Sequence, residues 1–154
     1  MVWRPDVTVA AIAEREGRFL MVEERIRGCL VYNQPAGHLE RGETLIDAVV
    51  RETREETAWE FEPDALVGLY LWSHVEGVTT LRACFTGRAV RHHPHEPLDE
   101  GIERALWLTR EELDARASAL RTPLVMQCVE DYLAGQRVPL EALHHCLGDT
   151  ESSA

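Results

Sequence analysis

The block from Gly37 to Glu56 constrains the fold more than any other part of the chain. It joins a glycine-bounded loop, Gly37-His38-Leu39-Glu40-Arg41-Gly42-Glu43, to a segment of helical period ending in Arg51-Glu52-Thr53-Arg54-Glu55-Glu56. On a helix, Glu52, Glu55 and Glu56 stand at relative positions 0, 3 and 4, so their side chains share one face with Cβ atoms roughly 5–6 Å apart. Like charges at that spacing cost about 0.2–0.5 kcal/mol per pair on an exposed helix, and more in a cleft of lower dielectric. A hard divalent ion reverses the sign of that cost, since Mg²⁺ takes a few carboxylate oxygens together with the oxygens of a substrate phosphate. The same segment carries an apolar stripe of Leu45, Ile46, Val49, Val50 and Thr53, with the three glutamates largely off it. The spacing predicts a helix over 44–57 with one face on a sheet and the other toward a cleft. Glu43 is expected to begin this helix and to reach back over the loop.

Around this block the pattern is that of a mixed α/β domain. Val7 to Ala13 and Arg18 to Glu23 are apolar runs separated by Glu16-Gly17, a hairpin signal. Leu30 to Tyr32 is a third strand, and Pro35 is expected to end its pairing. Leu66 to Val75 and Val78 to Val90 read as two more strands about Glu76-Gly77, with Leu69, Leu71, Leu81, Cys84 and Phe85 as core candidates. A short strand at Ala105 to Leu108 leads to Thr109-Arg110-Glu111-Glu112, which has the capping-box form of a helix start. Thr122-Pro123 opens a last helix with Leu124, Val125, Cys128, Val129, Tyr132 and Leu133 on its apolar face. The expected result is a mixed sheet with helices on both sides, forming one domain over 1–147 and a frayed tail over 148–154.

A net charge of −11 argues against an extended nucleic-acid groove, because polyanion binding draws on distributed positive charge. A small phosphorylated metabolite remains compatible, since bound cations invert the local sign of an acidic cleft. Cys29, Cys84, Cys128 and Cys146 are widely spaced and read as ordinary thiols. The segment from Met1 to Asp6 has no apolar signal core and no run approaches a membrane span, so a soluble cytoplasmic protein is expected. His92, His93 and His95 lie close together in a loop, where they read as mobile polar residues, with a transition-metal site and a substrate contact as the rival readings.

Gly37, Glu43, Arg51, Glu52, Glu55 and Glu56 together match the signature of the Nudix hydrolases, and the chain resembles that family. It departs at Thr53, where the family has an aliphatic residue, and at Ala58, where it has glycine. Thr53 is expected still to face the core, and Ala58 is expected to change the geometry of the helix end. Further blocks, Thr8-Val9-Ala10, Asn33 to Glu40, Pro123-Leu124-Val125 and Gly135 to Glu141, are similar to the NudJ type of Nudix phosphatase. The resemblance implies the Nudix fold, a mixed sheet between helices with a loop-helix-loop catalytic motif. It implies Mg²⁺, with Mn²⁺ as a substitute, held by Glu52, Glu55, Glu56 and the Gly37 carbonyl, with Glu56 central.

Under this resemblance Arg51 orients the carboxylates, with Glu43 as the route, and does not touch the ion. Glu55, Glu100 and Glu103 are the candidates for general base, and Glu103, four residues before Trp107, ranks above Glu100. Glu40 is a candidate for a second metal shell, and His38 for a structural or substrate-positioning role. A heterocycle would stack on Tyr32, Trp72 or Trp3, while Arg4, Arg25, Arg27 and Arg82 offer phosphate contacts.

The subgroup implies a monomer that releases orthophosphate from nucleoside tri- and diphosphates and from hydroxymethylpyrimidine pyrophosphate. A rival reading is cleavage between the phosphates of ADP-ribose or a dinucleoside polyphosphate. A third is a metabolite-binding domain without turnover, against which the intact carboxylates speak.

Overall fold

The computed structural model describes residues 1–74 and 76–148. Strands β1 (Asp6–Arg15) and β2 (Arg18–Ile26) form the expected hairpin, with Glu16 and Gly17 at φ 52° and 75°. Two consecutive left-handed residues make the turn whose twist matches antiparallel strands. Arg27 and Gly28, at φ 52° and 81°, repeat the device between β2 and β3 (Cys29–Asn33). Pro35 ends the pairing on that side, and the chain crosses to β4 (Ala36–His38), which runs antiparallel to β1 with Val9 opposite Gly37.

Helix α1 (Leu45–Thr57) follows, then β5 (Trp59–Ser73), β6 (Thr79–His92), β7 (Ile102–Thr109), α2 (Arg110–Ala115), α3 (Pro123–Leu133) and β8 (Val138–Pro139). The sheet order is β3-β2-β1-β6-β5-β8, with β4 added to β1 and β7 to β2. Among the named strands of the described residues, β1 and β6 alone pair in parallel, so the sheet is mixed.

Strand β1 is apolar without alternation because both of its faces are covered. Val9, Ala11 and Ala13 join Ala48 and Val49 of α1, Phe61, Leu66 and Phe85 in one core. Ala10 and Ile12 join Val67, Cys84, Leu113 and, from α3, Val125, Cys128 and Val129 in the other. The molecule is a sheet between helices, as expected.

Besides Leu133, which was expected on the apolar face of α3 but is 48% exposed at its last turn, three expectations need correction. Glu43 does not begin α1: Thr44 caps it, accepting from Asp47 N at 3.0 Å, while the Asp47 carboxylate accepts from Thr44 N at 3.4 Å. Thr44→Ala is expected to lower stability by about 1 kcal/mol, measured by denaturant unfolding. Ala58 does not change the helix end. It adopts the left-handed conformation at φ 60°, and its N–H bonds to Arg54 O at 2.8 Å, so the turn normally given to glycine is held by its surroundings.

The third correction concerns Leu69 and Leu71, which are 60% and 72% exposed. Strand β5 begins directly after α1 at Trp59, and its second half, where both leucines lie, runs past the part that the helix covers. Cys84 and Phe85 are buried as expected, as is Thr53.

Thr109 and Glu112 form the expected capping box of α2. Val75 and the segment 149–154, read as strand end and tail, lie outside the described residues. No helix among the described residues is long and apolar enough to cross a membrane.

Candidate active site

Glycine at position 37 is required by a close approach rather than by a turn. A Cβ there would overlap the Glu52 carboxylate, so the missing side chain at residue 37 is what lets that carboxylate lie against β4. The next helical turn is held by Arg51, 22% exposed in its side chain. Its guanidinium donates to both oxygens of Glu43, at 2.7 and 3.0 Å, to Glu52 at 2.8 Å, to Glu55 at 3.1 Å and to the His38 carbonyl at 3.0 Å. Glu43 also accepts from Glu40 N at 2.7 Å. A planar fork with five donors suits this task, which a lysine would not perform. The Arg51 bonds hold the Glu43 carboxyl below its ordinary range and raise the guanidinium's own pKa.

Beside this network three carboxylates converge. Oxygens of Glu52, Glu55 and Asp99 lie within 4.8 Å of one another. Asp99 arrives from the loop after β6, which is docked on the end of α1. Asp99 N donates to Glu55 O at 3.0 Å, His93 N donates to Ala58 O at 2.8 Å, and Glu96 takes a forked bond from Arg54 at 2.6 and 3.1 Å. Glu56 is turned inward. It is 7% exposed and accepts from Ala36 N at 2.7 Å. Burial, with repulsion from Glu24, Glu52 and Asp99, pushes its carboxyl up to about 8, although the Ala36 bond pulls the other way. Burial also raises Glu52, against the pull of Arg51. These groups are short of positive charge, and all their donors are oxygens.

The carboxylates open on a cleft of about 640 Å³ that extends across the sheet to Trp72 on β5, to His74 just after that strand and to the start of α3. Gly37, His38, Glu40, Arg51, Glu52, Glu55, Glu56, Trp72 and Arg82 all line it. Other candidates are elsewhere. Glu103 is bonded to Arg25 at 2.7 Å on the exposed side of β7, so neither residue reaches the cleft. Tyr32 is no platform. It is 9% exposed and donates to Glu23 at 2.7 Å, a bond that is the main cause of the lowered Glu23 pKa. Arg4, Trp3 and Glu100 are exposed outside the cleft, and Arg27 occupies a hairpin turn.

The loop histidines do not converge. His92 stacks on Trp59 with centroids 4.8 Å apart, His93 lies 3.2 Å from Glu60, and the only carboxylate, imidazole or thiol group of three among the described residues is the acidic one.

Sequence reasoning missed Asp99, Arg121, Asn33, Thr8 and Asp6, which also line the cleft. Asn33 and Thr8 lay inside blocks already singled out by resemblance. Asp99, Arg121 and Asp6 gave no local signal, because backbone bonds between distant segments place them.

The NUDIX domain family profile matches residues 2–127, and the chain belongs to this family; it is a Nudix hydrolase. It is 40% identical over 142 residues to the proteins named Phosphatase NudJ from Shigella boydii serotype 4 (strain Sb227) and Escherichia coli (strain K12). That similarity covers 92% of this chain and 92% of each relative. A solved NUDIX hydrolase from Nitrosomonas europaea is 49% identical, with a TM-score of 0.90 over 92% of this chain and 97% of that one. The MutT NUDIX hydrolase from Burkholderia pseudomallei, 22% identical with a TM-score of 0.66 over 84% of this chain and 98% of that one, shares the fold.

The placement of Asp99 and Glu103 yields a paired expectation. Asp99→Asn should lower turnover about tenfold or more, as for a residue that completes or supports a metal site. Glu103→Gln breaks only an exposed ion pair and should leave turnover within about twofold. Steady-state rates of the two variants check this, and the reverse order would restore Glu103 to the site.

Proposed function

We propose that this Nudix hydrolase removes the terminal phosphate of nucleoside tri- and diphosphates as orthophosphate and acts likewise on hydroxymethylpyrimidine pyrophosphate. It does so as a cytoplasmic monomer with Mg²⁺, for which Mn²⁺ can substitute. The observation that carries this reading is the 40% identity to the NudJ phosphatases over 92% of both chains. The donor set supports the cation: converging carboxylates without imidazole or thiolate suit a hard ion.

Glu52, Glu55, Asp99, Glu56 and the Gly37 main chain would hold that ion. When bound, it supplies charge neutralisation at the phosphoanhydride and polarises the attacked phosphorus. Arg51 keeps Glu52 and Glu55 in place, so little reorganisation is needed in the transition state. Glu55, at the open end of the network, takes a proton from the attacking water. The water oxygen bonds to the terminal phosphorus, the bridging P–O bond breaks, and its electron pair leaves with the shortened nucleotide. His38 and Glu40 flank the entrance, and Trp72 offers a face for the heterocycle.

Product analysis with Mg²⁺ on GTP, GDP, ADP-ribose and hydroxymethylpyrimidine pyrophosphate tests this, with orthophosphate measured without added phosphatase beside chromatography of the organic product. Direct orthophosphate is the expected result. AMP and ribose 5-phosphate from ADP-ribose alone would place the chain among the diphosphate-cleaving enzymes.

A further inference from the structure

Arg82 is 5% exposed, yet no carboxylate lies within ion-pair distance of it among the described residues. One nitrogen donates to Gln34 Oε1 at 3.1 Å, and Gln34 is itself anchored through Nε2 to the Val125 carbonyl at 2.6 Å. With the neighbouring Cys84 thiol as the larger cause, the guanidinium's charge also lowers the pKa of the buried Cys128 thiol. The Arg82 Nε is enclosed without any partner, as are Thr8 Oγ1 and Asn33 Oδ1, and all three residues line the cleft. Orphaned buried polar atoms are uncommon in folded proteins, so three on one wall mark a place that ordered water or a polar ligand would fill.

Position in the sheet says which part of a ligand they meet. Thr8 stands opposite His38 on β4 and Arg82 on β6, so Arg82 is two strand spacings, roughly 10 Å, from the loop that borders the carboxylates. Tyr70 is opposite Arg82 and Trp72 opposite Thr80, which puts Trp72 on the diagonal from Arg82, about 7–8 Å away on the same face. His74 packs against the Trp72 ring, with centroids 3.6 Å apart, so a planar ligand ring would stack on the other face of the indole, where the diagonal neighbour Arg82 is within reach of its edge. Arg121, the other cationic group on this wall, is already taken by Glu24.

We infer that Arg82, braced by Gln34, donates to a ring nitrogen or carbonyl on the edge of the substrate's heterocycle while that ring stacks on Trp72. The substrates are thus phosphorylated planar heterocycles, and a phosphoanhydride of a simple alcohol is a poor one. This rests on the phosphatase reading above for its kinetic test, but not for its binding test.

The kinetic test compares GTP with methyl triphosphate, which has the same anhydrides and no ring, in the wild type, Arg82→Gln and Arg82→Lys. For GTP, Arg82→Gln should raise KM about a hundredfold with kcat changed little, because a site built to donate to a partner loses that selectivity when the donor goes. The methyl triphosphate parameters should stay within about twofold, since no anhydride contact is removed. Equal losses on both substrates would make Arg82 a phosphate contact and overturn the inference. If Arg82→Gln lacks a cooperative thermal transition, Arg82→Lys, which keeps charge but not the fork, is judged by the same comparison.

If the wild type releases orthophosphate from neither substrate, the phosphatase reading fails, and calorimetric binding of adenosine, guanosine, cytidine and hydroxymethylpyrimidine decides. The inference requires at least one to bind the wild type and to bind the variant at least about tenfold more weakly. No binding, or equal binding by the variant, overturns it.

Discussion

Glu56→Gln is expected to lower turnover by about 10³-fold, or about 4 kcal/mol of barrier, with the fold retained. Glutamine has the same shape, and its amide oxygen can still accept from Ala36 N, the bond that Glu56 makes at 2.7 Å. What disappears is the group's ability to ionise and offer a negative charge to a cation in a pocket where burial, with Glu24, Glu52 and Asp99, otherwise keeps it protonated. Without a cation that charge is a burden to the fold, which is why burial pushes the carboxyl upward. With a cation it is the most desolvated, and hence strongest, carboxylate of the set. Turnover and thermal stability should therefore separate: the melting temperature of the metal-free variant should equal or exceed that of the wild type. Mg²⁺ titration of rate and of melting temperature checks both halves. A variant with near wild-type kcat and Mg²⁺ dependence would show that Glu56 takes no part in holding the ion.

The second large effect is expected at Gly37. An alanine Cβ would overlap the Glu52 carboxylate, and β4 cannot withdraw because it is bonded to β1 at Val9. The yielding group is the carboxylate, the free end of a flexible side chain, so the stability loss should stay within about 1–3 kcal/mol, as for modest overpacking. Displacing the carboxylate by about 1 Å should nevertheless cost about 10²-fold in turnover, because catalysis depends on placement far more steeply than folding does. Gly37→Ala should thus be a folded protein of low activity, seen by comparing kcat with denaturant midpoints. Near wild-type activity would mean that the approach of β4 to Glu52 does not matter to the reaction.

Local chemistry made much of the fold legible. The Thr109 to Glu112 capping box, Thr122-Pro123 at the head of α3 and Glu16-Gly17 in the first hairpin are signals completed within a few residues, and each element stands where its signal placed it. The Arg51 fork was legible only through the family resemblance; helical spacing by itself accounts for its reach to Glu55, four residues on, and not for its bonds to Glu52 and Glu43. Asp99 was not legible, because it depends on a loop returning to α1 through Arg54 and Glu96, 42 positions apart. Glu103 looked equivalent from its distance to Trp107, but strand alternation and the pairing of β7 with β2 give it to Arg25. Tyr32 and Leu71 exchanged their expected environments for a similar reason. Burial is decided by which helix covers which stretch of sheet, and no single segment contains that information.

Strand β1 gives this architecture a further property. One of its edges carries β4 and the glycine beside Glu52, and the other carries β6 and Arg82. The span between the carboxylates and Arg82 is thus a backbone dimension, set by hydrogen-bond spacing across β1, and on the proposed reading it is the distance from bond cleavage to ring recognition. Side chains on β5 and β6 can be exchanged to suit a different heterocycle without moving the carboxylates, whereas lengthening that span would require rebuilding the centre of the sheet. Such a molecule tolerates change in what it selects and resists change in how far along its substrate it cuts.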